Sequence, residues 1–127
     1  MDERISFVTH QGQKIMVVDL HDCPAKEISA VLDEVQHAVA RHARNSLLTL
    51  GDVTNAHIDR EVAMRIKEVL VLDRPYVKRS AWIGSGTQPK VFLDNFKTFS
   101  QRHIAYFDTR EEAMDWLVKE DSASPSK

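Results

Sequence analysis

A short polar segment after the third β-rich stretch carries side chains that could bind a ligand or a protein partner. Its polar residues are Asp52, Thr54, Asn55 and His57. A carboxylate, a hydroxyl, an amide and an imidazole offer several hydrogen-bond donors and acceptors within one loop. The same residue types also build turns and cap helices, and this alternative stays open from the sequence.

A second candidate site is the glycine-containing loop that joins a β-rich segment to a helical one. It consists of Gly84, Ser85, Gly86 and Thr87. Free backbone N–H groups at a helix start attract anions, so the loop is predicted to contact an anion or a polar headgroup. It lacks the third glycine of a dinucleotide fingerprint and the Gly-Lys-Ser/Thr of a P-loop. A tight turn is the alternative.

The segment after this loop concentrates aromatic residues on one helix face. Its aromatic residues are Phe92, Phe96 and Phe99. Spacings of four and three place them on one side of a helix, flanked by Lys90, Lys97 and Arg102. The pattern predicts a ligand-binding helix that covers an apolar pocket or lies on a membrane surface. Simple burial in the core is the alternative.

The sequence predicts no catalytic residues, no metal ligands and no cofactor. Glu34 and His37 have the spacing of a carboxylate–histidine metal pair, but such sites need a second pair on a facing helix. The run His21-Asp22-Cys23 contains nucleophile chemistry, and a helix start could lower the pKa of Cys23. A capping turn is the simpler interpretation of that run.

Composition limits the class of protein. The chain has 127 residues, 43% hydrophobic and 28% charged, which suits one globular domain. A net charge of −2 gives no general attraction to nucleic acid. A single cysteine excludes an internal disulfide and a cysteine-based zinc site. Because no signal peptide or long apolar run is evident, we expect a cytoplasmic protein, with peripheral contact to the inner membrane as an open alternative.

Hydrophobic periodicity divides the chain into nine elements. Apolar runs predict five strands, at Ile5–His10, Lys14–Leu20, Leu47–Leu50, Val77–Ile83 and His103–Phe107. Apolar residues three and four apart predict four helices, which start at His21–Pro24 with Pro24 in the first turn, near Asp59, at Pro89 and after Thr109. Asp22 is the predicted cap of the first helix, and Thr109 with Glu112 forms a predicted capping box on the last.

The order β-β-α-β-α-β-α-β-α predicts an α/β single domain with a mixed, mostly parallel five-stranded sheet and four helices. An antiparallel hairpin supplies one edge of the sheet. Residues 1–120 are the predicted domain, and residues 121–127 are a predicted flexible C-terminal tail. The pattern leaves open whether the helices cover one face of the sheet or both.

Three segments resemble the SpoIIAA-like family, a group of small stand-alone bacterial proteins related in fold to STAS and Sec14 domains. They are Leu47–Thr54, Arg74–Ala81 and Phe107–Leu117. The resemblance extends from about Ile5 to Val118 and implies a SpoIIAA-like fold. Anti-sigma-factor antagonists carry a phosphorylatable serine after a central strand, and this chain has no serine there, so only Thr54 could accept phosphate. The Sec14 relationship implies a pocket for an apolar or lipid-like molecule between helices and sheet.

These observations support three hypotheses. The leading one is a non-enzymatic small binding protein for an apolar or lipid-like molecule, held by Gly84–Thr87 and the aromatic helix. The second is a protein-interaction module of a partner-switching system, acting through Asp52–His57. The third is an enzyme of unknown reaction. The oligomeric state stays open, with a homodimer among the arrangements.

Overall fold

The chain folds around one five-stranded sheet. A computed structural model describes residues 4–100 and 104–119, apart from the side chains of residues 99 and 100. The strands are β1 Ile5–His10, β2 Gln13–Asp19, β3 Leu47–Asp52, β4 Val77–Ile83 and β5 Ile104–Phe107. The helices are α1 Ala25–Val39, α2 Arg60–Asp73, α3 Lys90–Ser100 and α4 Arg110–Leu117, with a 3-10 turn at Ser85–Thr87. The predicted class and element order are confirmed. The predicted strand start at His103 and the tail 121–127 lie outside the described residues.

The strands lie in sequence order across the sheet, β1-β2-β3-β4-β5. β1 is antiparallel to β2, and their turn places Gln11 and Gly12 at φ angles of 50° and 80°. Two consecutive left-handed residues give the twist that a two-residue hairpin turn needs. All the other neighbouring strands are parallel. Each of α1, α2 and α3 is therefore a crossover, and the three helices begin at the carboxyl edge of the sheet.

Helices cover both faces of the sheet, which settles the question left open by the periodicity. Buried residues of α1, α2 and α3 form one core with Met16 and Trp82. α4 packs on the opposite face, where Ala113 and Leu117 contact a second core that includes Val17. Successive strand residues point to opposite faces, so neighbours such as Met16 and Val17 enter different cores.

Of the two predicted helix caps, the one at Thr109 is confirmed and the one at Asp22 is wrong. Asp59 caps α2 by accepting a hydrogen bond from the backbone N–H of Val62 at 2.8 Å. Thr109 caps α4 by accepting from the N–H of Glu112 at 3.1 Å. The prediction that Asp22 caps α1 is wrong, because Pro24 occupies the N-cap position. Asp22 instead adopts φ 52° in the preceding loop.

Candidate functional site

The two polar segments that the sequence presents as separate sites lie together at the carboxyl edge of the sheet. Asp52–His57 begins at the end of β3 and Gly84–Thr87 follows β4, and these two strands are parallel neighbours. The backbone N–H of Asn55 donates to Oγ1 of Thr87 at 2.9 Å, across 32 residues of sequence. The Thr87 hydroxyl in turn donates to the carbonyl of Gly84 at 2.7 Å. We name these two segments together the loop cluster.

The backbone of Gly84 lies close to Thr54 within the loop cluster. Its φ of +80° lies in the left-handed region, which glycine adopts without steric cost. A Cβ placed on Gly84 would lie 2.1 Å from Oγ1 and 2.5 Å from the backbone nitrogen of Thr54. The Thr54 hydroxyl therefore lies against the backbone of Gly84, and a phosphate on Thr54 would have to displace this contact.

The side chain of Gln88 forms further hydrogen bonds to the backbone of the loop cluster. The side-chain amide of Gln88 donates to the carbonyls of Val53 and Ala56, at 2.8 and 3.0 Å. Sequence reasoning missed Gln88, because nothing in its local spacing indicates a partner more than 30 residues away. The side chains of Asn55 and His57 remain exposed on this hydrogen-bonded frame. The loop cluster therefore presents a small polar surface whose backbone is fixed.

The aromatic helix α3 is partly core and partly surface. Phe96 is completely buried and packs edge-to-face on Trp82, with ring centroids 5.7 Å apart. Phe92 is half-buried, and the neighbouring Val91 is 60% exposed. Phe99 belongs to α3, but its side chain lies outside the described residues. Core packing therefore accounts for Phe96, whereas Val91 and part of Phe92 face a groove on the surface.

A groove of about 240 Å³ runs between α2 and α3. Its apolar lining residues are Ala63, Met64, Val91, Phe92 and Phe96. Its polar lining residues are Arg60, Lys67 and Asn95. Met64 is 61% exposed, so it and Val91 are the most exposed large apolar side chains in the described part of the chain. Two such side chains facing one concave surface are typical of a binding site.

A smaller cavity of about 80 Å³ lies on the same face of the sheet, between the sheet and the helices α1 and α2. Its walls are mostly apolar, as at Val35 and Trp82, and also include Thr49 and Asp73. Its volume is about a third of that of the groove. The cavity can therefore hold a group of a few atoms at most. Phe96 lines the groove and Trp82 lines the cavity, and the two rings are in contact with each other.

The residues considered for nucleophilic or metal chemistry do not assemble into a site. Cys23 is completely buried, and burial raises the pKa of its thiol, which corrects the expected lowering by the helix start. The side chains of His21, Glu34 and His37 are exposed. Within residues 4–100 and 104–119, no cluster of three His, Cys, Asp or Glu side chains could hold a metal ion. The helices in those ranges lack the length and apolar character that crossing a bilayer requires.

Among solved structures, the chain is similar to an uncharacterised protein of the DUF3478 family from Shewanella loihica PV-4, which has a SpoIIAA-like fold. The two share 17% sequence identity and superpose with a TM-score of 0.68, over 89% of this chain and 91% of the other. No family model matches the chain, and no curated protein matches it significantly. The likeness confirms the predicted SpoIIAA-like fold.

Proposed function

We propose that this protein binds a small apolar or lipid-like molecule in the groove between α2 and α3. The observation that carries the proposal is the pair of exposed apolar side chains, Met64 and Val91, on a concave surface floored by Phe92 and Phe96. Leaving such side chains in water costs free energy, which a bound apolar ligand recovers. Phe92 and Phe96 are also two of the residues that the sequence predicts as ligand-binding.

The buried packing of Phe96 supports this role, because it gives the groove a rigid floor. A ligand that meets a preformed surface loses less free energy to ordering of the protein. Because Trp82 packs on Phe96, we expect the fluorescence of Trp82 to change when a ligand occupies the groove. Trp116 lies on the α4 side of the sheet, where it packs on Phe107, and is therefore a background signal.

The substitution Val91→Ser tests the proposal with the neutral fluorescent dye N-phenyl-1-naphthylamine. We expect the wild-type protein to bind the dye and the variant to bind it about fivefold more weakly, since one apolar contact is lost. Val71→Ser is the matched control, because Val71 is also exposed on a helix but does not line the groove. Equal loss of affinity in both variants, or no binding to the wild type, would contradict the proposal. Native mass spectrometry of the purified protein would identify any molecule that it carries.

A second candidate function is recognition of a protein partner by the loop cluster. Asn55 and His57 favour it, because both are exposed on a hydrogen-bonded frame at the edge of the sheet where parallel α/β proteins present their binding residues. Because Thr54 packs against Gly84, we expect the loop cluster to bind its partner without phosphorylation of Thr54.

Asn55→Gly tests this second function. Asn55 has a φ of 54°, so glycine removes the side chain while it favours the same backbone. Asn45→Gly is the matched control, since Asn45 is also exposed with a φ of 56° but lies far from the loop cluster in sequence. We expect a partner captured by the wild type to remain bound to the Asn45 variant and to be lost from the Asn55 variant. Retention by both variants would exclude the loop cluster as the binding surface.

A further inference from the structure

We infer that the groove between α2 and α3 binds a fatty acid, which is a single-chain amphiphile with an anionic head. The carboxylate of the fatty acid pairs with Arg60. This inference rests on the proposed function and names the chemical class of the ligand. The inference follows from the distribution of charged side chains around α2. Burial of apolar surface alone does not explain this distribution.

The two sides of α2 carry opposite charge. On the side of α1, the surface is lined by Asp33, Glu61, Arg65 and Glu68 together with Ser29 and Met64. Arg65 is engaged there, because it pairs with Asp33 and Glu68. On the side of α3, the groove is lined by Arg60 and Lys67 and, among the residues that the structure describes, by no acidic side chain. The groove therefore attracts an anion, although the chain as a whole has a net charge of −2.

Two acidic residues that neighbour the groove residues in sequence, Asp59 and Asp94, do not belong to the groove lining. The charge of Asp94 in α3 acts on Tyr106 of β5, where burial and this negative charge together raise the pKa of the tyrosine hydroxyl. Asp59 turns its carboxylate onto the backbone N–H of Val62 to cap α2. The positive charge of Arg60 thus faces an apolar groove rather than a carboxylate in the lining.

Arg60 is the better of the two cations for the head of the ligand. Its guanidinium presents two parallel N–H donors that fit the two oxygens of a carboxylate. Lys67 already takes part in an interaction within the protein. Arg60 is also the first residue of α2, where the helix dipole is positive and adds to the attraction for an anion.

The apolar lining leads away from Arg60 along the helix. Lys67 lies seven residues further on, which corresponds to about 10 Å of helix. Met64 lies between them on α2, and Val91 and Phe92 face it from α3. An alkyl chain that leaves a carboxylate at Arg60 would therefore lie over Met64 and Val91. A space of about 240 Å³ favours one such chain over a folded protein segment.

Titration with three ten-carbon probes tests the inference, with tryptophan fluorescence as the signal. The probes are decanoate, 1-decanol and decyltrimethylammonium, which carry negative, zero and positive charge on the same chain. We expect decanoate to bind most tightly and the cation most weakly. Arg60→Gln should weaken decanoate about fivefold and leave 1-decanol unchanged. Added salt should weaken only decanoate.

Lys26→Gln is the matched control, because Lys26 is an exposed lysine near the start of α1 and lies outside the groove. Equal affinities for the three probes, or no effect of Arg60→Gln on decanoate, would overturn the fatty acid inference and leave the proposed function standing. No binding of any probe would overturn both. Binding to phosphatidylglycerol vesicles without binding to free decanoate would also overturn the fatty acid inference. It would indicate that the groove contacts a membrane surface.

Discussion

Gly84→Ala is expected to lower the free energy of unfolding by about 3 kcal/mol or more. Two costs add at this position. A residue other than glycine is strained at a φ of +80°, and the new Cβ would lie 2.1 Å from Oγ1 of Thr54. The backbone of Thr54, at 2.5 Å, limits how far the side chain can withdraw. Urea unfolding followed by tryptophan fluorescence measures the loss.

Gly12→Ala separates the two costs. Gly12 has the same φ of +80°, but nothing lies within 4 Å of a Cβ placed there. Only the conformational cost applies, so we expect a loss of about 1 kcal/mol. If both variants lost the same free energy of unfolding, the result would contradict the close approach of Gly84 to Thr54. A larger loss for Gly84 would establish that the loop cluster is a tightly packed unit.

Phe96→Ala is expected to lower the free energy of unfolding by about 3–5 kcal/mol. The ring is completely buried and packs on Trp82, so its removal leaves a cavity beside the indole. Urea unfolding provides the measurement, and the fluorescence maximum of the folded variant should also shift as the surroundings of Trp82 change. This result would place α3 in the fixed core of the protein.

Val91→Ala on the same helix is the control for Phe96. Val91 is 60% exposed, and surface substitutions of this kind usually change stability by about 0.5 kcal/mol or less. A loss below about 1 kcal/mol for Phe96→Ala would contradict the described packing. It would support the alternative in which α3 is a mobile lid over an apolar pocket.

The element order of this protein was predictable because periodicity is a local property. Ile15-Met16-Val17-Val18 indicates a buried strand without knowledge of any partner, and Pro24 and Pro75 mark helix boundaries by their own chemistry. The cap at Thr109 was equally local, since its partner Glu112 is three residues away. The cap predicted at Asp22 failed because Pro24 occupies the N-cap position and the N–H of Asp22 instead donates to the carbonyl of Thr54.

The candidate site was only partly predictable. The apolar face of α3 follows from the spacing of Phe92 and Phe96, and both residues line the groove. Met64 and Arg60 were not singled out, because their importance depends on α2 lying beside α3. Gln88 and the joining of the two polar loops depend in the same way on the pairing of β3 with β4.

The sequence by itself determined the elements of this protein, its α/β class and the residue types that each loop offers. Only the tertiary structure decided that Asp52–His57 and Gly84–Thr87 form one loop cluster, that Phe96 meets Trp82 and that Cys23 is buried. It also decided that the two sides of α2 carry opposite charge. The physical reason is that periodicity, capping and turn formation act within a few residues, whereas these contacts join segments that meet only when parallel crossovers pack on the sheet.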